Sequence, residues 1–438
     1  LKRAVPFLVA LAALGFGVSC GGGNNSVTGP NGNVTVSAPS KLKNRAFITN
    51  QFSGDIQIVD SQNDTTSYFV VTNNNTGNST TGISTNGGTP STAVSIVVGG
   101  TLTLMALRPD DAETMVYNPS SNVLTAISNS SETSTGTVTL QAYTSSFVYS
   151  PDSKFLYVAM PNAPVTITNA NGTTTFGRPG GVDIVTEATS TAAGGITNFI
   201  PVPGAQTVAV SPDGKTLLVF CANSDSMYLI DLTATSPTAV GLTGFARPVN
   251  AFFSSDSATA YVLNCGPECG STAGSPSVMR FTLASRTVNA TVPVGGATVG
   301  LLQNTTLFVA GYPGGSTGTF DVVDVNAMTR TTANPVAIGD GTHTTMAIST
   351  NNKLYIGAIT CANTSTGCLS IIDVGKTSLD SISQPLGAVT GLQAIPKRNV
   401  MYAVEGGVLQ MYDTTTGQLQ TTQIDFRGAL YSVLQIDP

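Results

Sequence analysis

The chain has 438 residues, with 24 acidic against 18 basic side chains, one histidine, no tryptophan and only 10% charged residues. A net charge of −6 argues against nucleic-acid binding, one histidine cannot build a His-rich metal site, and 41% hydrophobic residues exclude a disordered chain. The remainder is rich in Gly, Ser, Thr and Asn, and 46 glycines with 23 prolines imply many turns.

At the N-terminus, Lys2 and Arg3 precede an apolar run from Ala4 to Val18 that ends Gly17-Val18-Ser19-Cys20. A basic start, an apolar stretch of about 15 residues and small residues at a cut site make a signal peptide. A membrane span needs about 20. The end of the run resembles a bacterial lipobox, with Gly17 where that motif usually carries Leu. The resemblance implies cleavage before Cys20 and lipidation of that cysteine. Residues 1–19 are thus expected as a lipoprotein signal peptide. Residues 20–41, opening Gly21-Gly22-Gly23-Asn24-Asn25, are expected as a flexible tether. By resemblance to sorted lipoproteins, Gly rather than Asp at 21 means that nothing marks the chain for inner-membrane retention, so the expected location is the outer membrane or cell surface of a bacterial envelope. Loss of Lys2 and Arg3 takes the net charge from −6 to −8.

From residue 42 onward the sequence repeats. Thr207 to Leu232 reads TVAVSPDGKTLLVFCANSDSMYLIDL: strand, tight turn, strand, short loop, strand. Copies of this layout start at 103, 145, 207, 249, 298, 345 and 392, the widest interval holding an insertion at 162–180. A period of about 40–50 residues with four short strands per unit is the pattern of propeller blades. Alternation of Val, Ile, Leu, Phe and Tyr with Ser, Thr and Asn supports strands, and Pro-Asp-Gly supplies the tight turns. Near the N-terminus, Arg45 to Asn50 and Asp55 to Asp60 read as second and third strands, with Val34 to Ser37 a weak candidate for the first. Leu430 to Ile436 reads as a first strand with nothing after it. Pairing this last strand with the N-terminal blade closes the ring and hides two sheet edges. The fold expected for 42–438 is therefore an all-β propeller of eight four-stranded blades. Seven is the alternative if the 103–140 unit merges with its neighbour.

Phe47-Ile48-Thr49-Asn50 with Ile58-Val59-Asp60, and Leu218-Val219-Phe220 with Leu229-Ile230-Asp231, are similar to the YVTN-type β-propeller repeat. The Ser-Pro-Asp-Gly-Lys turn at 211–215 and the Val-Gly-Gly links at 98–100 and 294–296 fit it too. The resemblance implies the fold and says little about function, because such propellers serve as surface proteins, binding modules or lactonase-like and quinoprotein-like enzymes.

A recurrent Asp closes the third strand: Asp60, Asp231, Asp324, Asp373 and Asp413. With Thr, Ser or Gly opening the next turn, it is expected to bond its own turn backbone rather than hold a metal. Cys265 with Cys269, and Cys361 with Cys368, each bracket one loop. Export favours two local disulfides; a four-cysteine zinc site is the alternative, and needs loops of separate blades to meet. Cys221 lies in an apolar strand and is expected to be a buried thiol.

In a propeller the links between blades and the loops from second to third strand open on one face, here the linker face. The Pro-Asp-Gly turns open on the other. Arg247, Asp340, His343 and Arg427 all belong to links, so they are the candidate binding residues of a channel mouth. Both cysteine-clamped loops and the 162–180 insertion share that face, and binding residues are usually displayed on such loops. No metal or cofactor motif is present. The expected role is non-enzymatic: a lipid-anchored monomer binding a protein or glycan at the envelope, or a structural surface protein. A lactonase-like hydrolase acting in the central channel is the alternative.

Overall fold

The computed structural model describes residues 40 and 42–437, apart from 74–78, 85–94, 169–173, 187–193, 314–316, 362–365, 377, 383–385, 422–423, 425 and 427, and adds backbone strands at 26–29 and 32–37. Cys20 and Arg427 lie outside the described residues. Eight antiparallel sheets follow one another around a ring. Their innermost strands are Leu430–Gln435 in blade 1, Met105–Leu107 in blade 2, Ser146–Tyr149 in blade 3 and Ala205–Val210 in blade 4. Pro248–Phe253, Val299–Gln303, Thr342–Ile348 and Val389–Ala394 serve blades 5 to 8. Each innermost strand touches the next, and the last returns to the first. Eight blades, not seven, close the circle.

The apolar strands are packed on both sides. Eight separate clusters of buried side chains lie one at each blade–blade boundary. Between blades 3 and 4, for example, Ala159 and Val182 meet Leu217, Val219 and Ile230. A second or third strand therefore feeds one boundary with its odd residues and the other with its even ones, which is why these strands read as nearly continuous apolar runs. Each such side chain contributes about 1.5–3 kcal/mol on burial.

The hairpins are locked by side chains that the repeat carries in register. Ser150, Ser211 and Ser254 donate to Asp152, Asp213 and Asp256 at 2.7, 2.6 and 2.6 Å, closing the first turn of blades 3, 4 and 5. Gly214, at φ +70°, takes the left-handed position of one of these turns. All five recurrent aspartates accept the backbone N–H two residues on, at 2.9, 2.9, 2.9, 3.0 and 2.7 Å for Asp60, Asp231, Asp324, Asp373 and Asp413. Their structural reading holds.

The ring closes as the sequence implies. Ala46, Phe47 and Ile48 pair with Gln435, Leu434 and Val433. Arg45 reinforces the seam: Nε and Nη2 donate to Asp437 at 2.8 and 2.9 Å, and Nη1 donates to Glu132 of blade 2 at 2.8 Å. Across the other side, Arg398 of blade 8 holds Asp64 of blade 1 through two bonds of 2.6 Å. One expectation needs correcting. Val34–Ser37 does form a strand, but it pairs with Val70–Asn73 outside the ring, because Leu430–Gln435 takes the innermost position. With Ser26–Gly29 it makes a hairpin within the stretch read as tether.

Candidate functional site

Arg247 lies in the link into blade 5, in the left-handed region at φ +53°. Its backbone N–H donates to Asp225 Oδ1 at 3.0 Å, and its Nη2 donates to the Gly270 carbonyl at 3.3 Å. The guanidinium Nε stands 3.9 Å from Asp225, and the side chain is 18% exposed. Arg247 is thus a brace joining a blade 4 loop to the clamped loop of blade 5. That loop carries the Cys265–Cys269 disulfide around a 3-10 turn, Gly266–Cys269. Glu268 pins its other side by accepting the Tyr312 N–H of blade 6 at 2.7 Å, and burial pushes its carboxyl up to about 7. Beside Arg247 a cleft of about 480 Å³ opens on the linker face between blades 4 and 5. Asp225, Ser226, Thr243, Phe245, Ser275 and Met279 are among its walls.

Asp340 and His343 lie two links further round, with the 293–299 link into blade 6 between them and Arg247. His343 opens the innermost strand of blade 7 and is 2% exposed, and neither ring nitrogen has a hydrogen-bond partner. Its ring fits over Gly318, where a Cβ would sit 2.6 Å from Cε1. Burial pushes its pKa down to about 4; the nearby Gly339 carbonyl and Asp340 oppose this only in part. The imidazole is neutral and shut away at ordinary pH. Asp340 is buried as well, within 4.8 Å of both sulfurs of Cys361 and Cys368. Those sulfurs are joined to each other, so the trio is not a metal site. Each cysteine pair is a local disulfide, which also removes the four-cysteine zinc alternative. Cys221 is free and buried, its thiol pushed up to about 12. The described sequence candidates thus divide between two links and do not converge on one pocket.

Two buried acids that keep an unpaired oxygen were not singled out from the sequence. Asp183, on the third strand of blade 3, is fully buried beside Val158 and Val185 with neither oxygen bonded, and desolvation pushes it up to about 7. Asp321 and Ser370 occupy the matching place in blades 6 and 7, where they accept Gly295 and Gly339 N–H groups at 2.7 and 2.9 Å. In those blades the third strand grips the incoming link; in blade 3 the grip is unused. Glu405 of blade 8 accepts the Tyr412 hydroxyl at 2.8 Å but leaves Oε2 unpaired, and burial pushes it up to about 7.

The faces differ in kind. Phe52 and Val97 are 85% and 70% exposed, and Tyr143, Ile359, Ile382, Leu386 and Val408 are also exposed, all on the linker face; the less exposed Val240, Val288 and Leu419 lie on fourth strands instead. Their loops adjoin: Gly406 packs on Leu386, Gly407 on Ala429, Gly428 on Asn50, and Gly54 on Gly99 and Gly100. Among the described residues, only Arg178, Asp225, Arg247 and Glu268 bring charge to the surface of these loops, since Asp55, Asp340 and Glu405 are buried. Charges crowd the turn face instead, with Asp110, Asp152, Lys154, Asp213, Lys215 and Asp256 at exposed hairpin tips.

No family model matches the sequence, and no curated protein matches it significantly. Solved structures do. Dihydro-heme d1 dehydrogenase NirN in complex with DHE aligns with TM-score 0.62 at 11% identity, covering 91% of this chain and 76% of its own. The Cps50 (Swd1) β-propeller domain of Myceliophteria thermophila aligns with TM-score 0.49 at 10% identity, covering 75% and 99%. At such identity the likeness to NirN is one of fold: the chain is an eight-bladed β-propeller.

Proposed function

We propose that this chain is a YVTN-type propeller lipoprotein, anchored outside the cytoplasm through Cys20, that binds a protein or glycan partner through its linker face. The observation that carries the reading is the contrast between the faces. A contiguous, nearly uncharged surface with protruding Phe52, Val97 and Val408 is unusual on a solitary soluble protein and common at interaction sites. Two disulfides support residence in an oxidising compartment. Topology adds an orientation. The chain joins the ring at Ser40–Arg45, on the turn face, where Arg45 meets Asp437. An anchor at that end leaves the linker face directed away from the point of attachment. The hydrolase alternative draws less support, because the single histidine is buried and neutral.

Gradient sedimentation of the full chain, extracted from its native envelope in mild detergent, tests this reading. The wild type is expected to travel in a complex heavier than a single chain. Phe52→Ser with Val408→Ser is expected to travel alone, and Lys154→Ser with Lys215→Ser on the turn face to behave as wild type. Equal migration of all three proteins would overturn the assignment.

A further inference from the structure

We infer that the cleft between blades 4 and 5 is a binding site for a neutral saccharide. The inference rests on the linker face being the binding face and names a ligand class for one part of it. At about 480 Å³ the cleft lies within the usual range of small-ligand pockets, about 300–1,000 Å³, with room for about two sugar rings. Its composition selects the chemistry. Ser226, Thr243 and Ser275 offer hydroxyls that both donate and accept, matching the paired donor and acceptor character of sugar hydroxyls. Asp225 adds a strong acceptor, which suits neighbouring hydroxyls taken together. Met279 and Pro293 supply apolar wall for the C–H face of a ring.

Charge argues the same way. Asp225 is the one ionised side chain in the walls, and Arg247, next to it, offsets that charge while being bound to Gly270. Among the described residues lining the cleft none is basic, so no cation faces into it to pair with a phosphate or carboxylate, and one carboxylate is too few to hold a metal ion. A neutral ligand fits best. The site is also built in advance. The clamped loop is fixed to blade 4 through Arg247 and to blade 6 through Glu268, and its disulfide shortens the free segment further. Binding then costs little loop ordering.

The test uses the chain from residue 20 onward, with maltotriose, cellotriose and chitotriose as probes and an Ala-Ser-Ala tripeptide as the peptide arm. Saturation-transfer NMR and calorimetric titration report binding. At least one trisaccharide is expected to bind, and Thr243→Phe, which fills the mouth from an exposed position, is expected to weaken it at least tenfold. Asp225→Asn, which keeps a side-chain oxygen for the Arg247 N–H, is expected to weaken it severalfold without lowering the melting temperature. Silence from all three sugars, binding that ignores Thr243→Phe, or preference for the tripeptide would each overturn the inference. If the sugars fail while the heavy envelope complex persists, the saccharide site falls and the linker-face reading stands. Loss of both removes both.

Discussion

Replacing Asp183 by Asn tests how the ring tolerates a buried, unbonded carboxylate. The native carboxyl is pushed from 3.8 to about 7 by desolvation alone. Folding therefore raises its affinity for a proton. The folded state binds the proton between pH 4 and 7 where the unfolded chain has released it, so stability is highest below pH 4 and falls as pH rises towards 7. At about 1.4 kcal/mol per pH unit, the loss is about 4 kcal/mol as an upper bound. Asn has nearly the shape of the protonated acid and no charge to desolvate. Asp183→Asn is thus expected to match wild type within about 1 kcal/mol at pH 4 and to exceed it by up to about 4 kcal/mol at pH 8. An unfolding entropy of about 2.1 cal/mol/K per residue over about 400 residues converts this into a gain of about 5 °C in Tm. Calorimetric melts of both proteins from pH 4 to 8.5 at constant ionic strength give the answer. Glu268 and Glu405 titrate in the same direction, but they are common to both proteins and cancel in the difference. Parallel Tm-against-pH curves would refute the reasoning.

At the ring seam, Arg45→Ala strips Glu132 of its cation, the Glu132 side chain being fully buried and that of Arg45 11% exposed. The expected cost is about 3–5 kcal/mol in urea unfolding. Adding Glu132→Gln should restore part of it, and a cost below 1 kcal/mol would deny the clamp a role. Changing Cys361 and Cys368 together to Ser opens a loop of seven-residue separation, for which loop entropy gives a loss of about 2–3 kcal/mol. Reductant should lower the wild-type melting temperature and leave the double variant's response to the other disulfide alone.

Much of the ring was legible because its signals are local and repeated. The Ser-Pro-Asp-Gly turn, the terminal Asp of the third strand and the orphan strand Leu430–Gln435 each state their role within a few residues. Val34–Ser37 misled because alternation marks a strand without saying which edge it joins. The candidate site was less legible. Arg247 was visible as a link residue, but its brace to Asp225 and Gly270 depends on loops brought together by two blades. The cleft needs four separated segments, around 225, 245, 275 and 291, and no single one signals it. His343 showed its strand position but not its burial, which Gly318 of the neighbouring blade permits. Asp183 did carry a signal, an acid inside Gly181-Val182-Asp183-Ile184-Val185, at the same register as Asp321. The two differ in their partners: Asp321 accepts the Gly295 N–H and the Thr332 hydroxyl and faces Arg330, and Asp183 has none of these.

Site-resolved photocrosslinking in living cells tests the central claim most directly. A photoreactive residue is placed singly at Phe52, Tyr143, Ile382 or Val408 on the linker face, and at Lys154, Lys215, Asp256 or Lys397 on the turn face. Adducts of one defined mass from the linker-face positions, absent from the turn-face set, are the expected result. Adducts confined to the turn face, or none from either face, would contradict it.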